Sequence, residues 1–75
     1  MQQLHDEHAV ALWRFSLRLV GHDQARAEDV VQETMLRAWR HPAILASSPP
    51  ALRAWLYTVA RNIVADEWRR GRIRR

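Results

Sequence analysis

Apolar residues recur along this chain of 75 residues at helical intervals in three separate segments. In the first, about His5 to Val20, Ala9, Leu12, Trp13, Leu17 and Val20 follow the i, i+3, i+4 spacing of one helix face. Gly21 stands where a helix C-cap is expected, and Asp23 is placed to cap the helix that follows. In the second, about Gln24 to Arg40, Ala27, Val30, Val31, Thr34, Met35 and Ala38 fall on one side at about 100° per residue. His41-Pro42 ends it, because a residue before proline disfavours the helical region. Residues 43–50 read as a loop, in which Ser48 is an N-cap with Pro49 in the first turn behind it. The third segment runs from about Ala51 to at least Arg70, with Leu52, Trp55, Leu56, Val59 and Ile63 as its stripe. No period-2 alternation and no Asn-Gly or Asp-Gly hairpin signal interrupts this pattern. The expected fold is all-α, a three-helix bundle with a long basic third helix.

Composition narrows the picture. A domain of this length buries only about 60% of its unfolded surface, so its core is thin. With 48% hydrophobic and 27% charged residues it reads as globular. It has no cysteine, which excludes a disulfide framework, a thiolate zinc site and a cysteine nucleophile. No stretch approaches the ~18 apolar residues of a membrane span. The acidic start, Met1 to His8, lacks the positive region of a signal peptide, so the expected location is the cytoplasm.

Charge divides the chain. Residues 1–50 hold five arginines and six acidic residues; residues 51–75 hold seven arginines and two acidic residues. A near-neutral front and a basic back suggest two surfaces for two partners, or a basic tail that serves solubility. The chain stops inside the run Arg69-Arg70-Gly71-Arg72-Ile73-Arg74-Arg75, which reads as a domain excised from a longer protein.

The helix faces opposite the apolar stripes need their own account. On the second helix that face carries Asp29, Gln32, Glu33, Leu36, Arg37 and Arg40. Leu36, set among polar neighbours, is either a stray exposed leucine or the anchor of a partner-binding stripe. On the third helix the opposite face carries Tyr57, Arg61, Ala65, Trp68, Arg69 and Arg72, with Thr58 and Asn62 at its border. Arginines interleaved with rings suit single-stranded nucleic acid, since arginine meets phosphate and flat rings accept unstacked bases. Asn62 has an amide that can read a base edge. Each ring taken alone fits equally well as packing against a neighbouring helix.

Other constellations are weaker. His5 and His8 share a helix face but find no third or fourth metal ligand, so no metal or other cofactor is expected. Glu28, Asp29 and Glu33 beside arginines suit a solvated or partner-facing role better than metal-dependent catalysis. Ser16, Ser47 and Ser48 have no histidine–acid pattern, and no glycine-rich phosphate loop is present. No enzymatic activity is expected.

Taken together, the blocks Ala27-Glu28-Asp29-Val30-Val31-Gln32-Glu33-Thr34, Leu36-Arg37-Ala38-Trp39, Ala54-Trp55-Leu56-Tyr57-Thr58-Val59-Ala60-Arg61-Asn62 and Asp66 with Arg69-Arg70 resemble region 2 of bacterial RNA polymerase sigma factors. The resemblance is greatest to the extracytoplasmic-function group, and within it to actinobacterial members. It spans about Leu12 to Arg70, and the second and third helix blocks at this separation are highly specific together.

The resemblance implies a domain that docks on RNA polymerase core and recognises and melts the promoter −10 element. The second helix would meet the β′ clamp helices through Asp29, Gln32, Glu33, Leu36, Arg37 and Arg40. The third would hold the non-template strand through Tyr57, Thr58, Arg61, Asn62, Ala65, Trp68, Arg69 and Arg72. Asn62 matches the asparagine near the duplex edge of the element. In the family the loop before the third helix captures a flipped base, which brings in Ser47 and Ser48. The resemblance further implies an anti-sigma partner and a −35-binding domain absent from this chain. Two other readings stay open: a helix-turn-helix duplex reader, disfavoured by the long 41–50 connection, and a protein-interaction domain whose arginines meet an acidic partner.

Overall fold

The computed structural model describes the backbone of residues 2–74 and the side chains of residues 8–71. Four helices follow in order: α1 (Gln2–Leu19), α2 (Gln24–Trp39), α3 (Pro42–Leu45) and α4 (Pro49–Arg74). The expected all-α bundle of three long helices is therefore present. One difference is that α3, a single turn, occupies part of the segment expected to be loop. His41, with extended φ −125°, is held out of the helix by the proline behind it. That proline's fixed φ then starts a new turn, which ends at Ala46.

The joints follow from local chemistry. Gly21 and His22 both have left-handed φ, +64° and +66°. His22 N–H donates to the Leu17 carbonyl at 2.8 Å and closes the end of α1. Asp23 caps α2, its Oδ1 accepting from Arg26 N–H at 3.2 Å. At the far end of α2, His41 Nδ1–H donates to the Arg37 carbonyl at 3.0 Å, while its ring tilts against Trp55 with centroids 5.5 Å apart. Ser48 Oγ accepts from Ala51 N–H at 3.4 Å and starts α4, with Pro49 and Pro50 in the first turn.

α1, α2 and α4 pack on one another, and α3 fits between α2 and α4. The core joins Leu12 of α1, Val30, Val31, Met35 and Ala38 of α2, and Leu52, Leu56, Ala60 and Ile63 of α4. The stripe expected for α2 is the buried one without exception. α1 differs: His8 and Ser16 are buried with Leu12, while Trp13 and Leu17 are only half-buried. Ser16 is fully enclosed, a position that a polarity pattern does not reveal. In α4 Ala60 joins the core, whereas Trp55 and Val59 lie at its edge. At 26 residues α4 is about 39 Å long at 1.5 Å per residue. It thus spans the 41 Å long axis of the molecule.

Candidate functional site

Packing α2 through Ala27, Val30, Val31, Thr34, Met35 and Ala38 leaves the rest of its circumference outside. Asp29, Gln32, Leu36, Arg37 and Arg40 are exposed and Glu33 is half-buried. Arg37 Nε donates to Glu33 Oε2 at 3.0 Å, one turn apart, which fixes both side chains along the helix. Leu36 keeps 44% of its surface exposed in the middle of this face.

Leu36 has company that the sequence reading did not place there. Val10 is 58% exposed and Trp39 is 40% exposed. One hollow between α1 and α2 is lined by Val10, Trp13 and Val31. A second, lined by Met35, Leu36 and Trp39, shares Val31 and Gln32 with the first. A continuous apolar groove therefore runs along α2 and onto α1. Val10 was missed because it lies one position off the stripe of α1, and Trp39 because it falls at the border of the α2 face. Glu28 is exposed and stands in the lining of the α1–α2 hollow.

The outer face of α4 carries Thr58, Arg61, Asn62, Ala65, Trp68 and Arg69, all exposed. Trp68 is 63% exposed. Tyr57 differs from this set. It is half-buried and stacks on Phe15 of α1 with ring centroids 4.4 Å apart and planes 11° from parallel. One face of the ring is therefore occupied, as in the neighbouring-helix alternative. Arg69 is ion-paired with Asp66 one turn back. The side chain of Arg72 lies outside the described residues, as does that of His5.

The two loop serines are committed to the backbone. Ser47 Oγ donates to the Ile44 carbonyl at 2.5 Å, closing α3, and Ser48 Oγ caps α4. Both hydroxyls thus shape the segment ahead of α4. Among the described residues no group of three or more His, Cys, Asp or Glu gathers where a metal ion could be held. No helix among them is long and apolar enough to cross a membrane. Among the described residues two surfaces stand out: an apolar groove with a charged rim on α2, and a face of α4 that carries arginines and the exposed ring of Trp68.

Comparison with known proteins places this architecture. Residues 4–74 match the family described as sigma-70 region 2, and the chain belongs to that family. It is 58% identical over 74 residues to the ECF RNA polymerase sigma factor SigL of Mycobacterium tuberculosis, an alignment covering 99% of this chain and 41% of that protein. It is also 38% identical over 72 residues to the ECF RNA polymerase sigma factor BldN of Streptomyces coelicolor, covering 96% of this chain and 27% of the relative. The ECF RNA polymerase sigma factor SigE of Mycolicibacterium smegmatis is 37% identical over 73 residues. The chain spans about two fifths or less of the length of these relatives. The extracytoplasmic-function resemblance drawn from the helix blocks is thereby borne out.

Proposed function

We propose that this domain serves transcription initiation in the cytoplasm as part of a sigma factor, docking on RNA polymerase core through α2 and holding the melted non-template strand of the −10 element along α4. Docking uses Asp29, Gln32, Glu33, Arg37 and Arg40 as a polar rim around Leu36. The apolar groove extends the contact to Val10, Trp13 and Trp39. An apolar anchor inside a charged rim is the usual anatomy of a protein interface. The clamp helices fit such a groove as a helix lying along it.

The observation that carries the nucleic-acid half is the shared exposure of Arg61, Asn62, Trp68 and Arg69 on one side of α4, in a chain of the sigma-70 region 2 family. Arg61 and Arg69 meet phosphates, Asn62 reads a base edge, and Trp68 offers a stacking surface. Thr58 and Ala65 line the path between them. Tyr57 contributes through its edge and hydroxyl while its face braces α1. Ser47 and Ser48 act by shaping the turn that presents a flipped base to α4. Separating a strand costs a few kcal/mol per everted base, which these contacts and the polymerase offset together. The role asks for binding and no covalent chemistry.

Fluorescence anisotropy with a labelled −10 non-template strand, single or annealed to its complement, tests the reading. The single strand is expected to bind more tightly, with a strong salt dependence. Equal or tighter binding to the duplex overturns it.

A further inference from the structure

His41 stands between α2 and α3 and touches both of them and α4. Its Nδ1–H donates to the Arg37 carbonyl in the last turn of α2 at 3.0 Å. Its ring lies against Trp55 of α4, with centroids 5.5 Å apart and planes 47° from parallel. Its own carbonyl accepts from Ile44 N–H at 2.9 Å and from Leu45 N–H at 3.2 Å, which starts α3. The Ile44 carbonyl in turn accepts from Ser47 Oγ at 2.5 Å and from Ser47 N–H at 3.1 Å. A run of hydrogen bonds therefore leads from the end of α2, through His41 and one helical turn, to Ser47, the neighbour of the α4 cap. A single turn has little stability of its own, because nucleating a helix costs more than its few hydrogen bonds return. Ile44 and Leu45, half-buried, press this one onto the core. Apolar burial is non-directional, so the orientation of the turn is left to the polar contacts at its start.

We propose that His41 is the positioning residue of the 42–48 turn: it fixes where Ser47 and Ser48 lie relative to α4, and through them the choice of base. This rests on the reading of that turn as presenting a flipped base to α4. Ending α2 asks nothing of the side chain at position 41, since Pro42 already breaks the helix. The imidazole is therefore surplus to the break, and its two ring contacts tie the start of the turn to the helices on either side. His41 is exposed, so its contacts add little to the folding free energy. A site that reads a base edge discriminates only when the groups forming it are held in register by their own neighbours. Contacts to phosphates carry no sequence information and set general affinity. The joint at His41 thus governs base preference and leaves general strand affinity to the arginines of α4.

The test measures binding of the 75-residue chain to short fluorescent oligo-dT strands, unsubstituted or with one central dA, dG or dC. The parent is expected to favour one of the four central bases by about fivefold or more. His41→Ala should bring that preference below about twofold, while affinity for unsubstituted oligo-dT changes by less than about twofold. His41→Asn, whose amide still donates to the Arg37 carbonyl, should fall between the two and recover part of the preference. Circular dichroism follows helicity throughout. A full preference in His41→Ala, an equal loss of affinity for every strand, or no recovery in His41→Asn overturns the role of His41 alone. Should His41→Ala lose its fold, His41→Asn decides: a preference equal to the parent's overturns the proposal, and a reduced one at unchanged oligo-dT affinity supports it. A parent that binds all the strands alike overturns both the base-capture reading and the proposal.

Discussion

α2 and α4 are both two-sided helices, and they are sorted differently. α2 is packed along its whole length, so every position has a side assigned by burial: six residues inward, a polar and apolar mixture outward. α4 is sorted this way only as far as Ile63. Beyond it, among the described side chains, Val64 packs at the core's edge, Glu67 is ion-paired with Arg26 of α2, and Arg69 with Asp66 within the helix. The comparison teaches that the outer face of α2 is set by a helix packed along its length, whereas the arginine end of α4 has fewer apolar contacts and an ion pair at the surface. A rigid surface suits a protein partner of fixed shape. A loosely tied basic helix suits a strand that must be drawn out of a duplex.

The contrast can be broken at the packed half of α4. Leu56 is fully buried, and Leu56→Ala should cost about 2–5 kcal/mol. For a domain of this size that is a large share of the total stability, and thermal denaturation followed by circular dichroism should record a much lower midpoint. A Leu56→Ala protein as stable as the parent would mean that the core is not where α4 meets α1 and α2.

A smaller effect should fall on binding alone. Leu36→Ala leaves the folding free energy within about 0.5 kcal/mol, as expected for a surface site. It should weaken association with polymerase core about tenfold, the loss of one apolar anchor. Pull-down beside circular dichroism separates the two, and loss of helicity would place Leu36 in the wrong half of the comparison.

The smallest effect concerns α1. Ser16 is fully buried and its hydroxyl has no hydrogen-bond partner among the described residues. Ser16→Ala removes a desolvated hydroxyl and improves helix propensity, so it should stabilise by about 1 kcal/mol. Urea denaturation would measure it. A loss of stability would mean that the hydroxyl is satisfied in solution.

Much of this was legible in the sequence. The α2 stripe, the Asp23 and Ser48 caps and the end of α2 at His41-Pro42 all follow from local rules, because each depends on neighbours within a few residues. The outward positions of Arg61, Asn62 and Leu36 followed by subtraction. What could not be read depends on other helices. The stack of Tyr57 on Phe15 joins residues 42 positions apart, and nothing in the period of α4 separates a ring that braces α1 from one that faces a ligand. The groove joining Val10 to Trp39 exists only once α1 lies on α2. Residues 42–45 form a helical turn because Pro42 restarts the chain, where the run of small residues and prolines suggested only loop.

The central claim is that the outer face of α4 holds a separated strand through Arg61 and Asn62. The most direct measurement compares Arg61→Ala/Asn62→Ala with the parent for binding both to the single-stranded −10 oligonucleotide and to a fragment carrying the β′ clamp helices. Tyr57 is left intact, because its ring braces α1. Strand affinity is expected to fall about tenfold or more while clamp-helix binding and thermal midpoint stay as in the parent. Unchanged strand affinity, or an equal loss toward the clamp helices, would contradict the account.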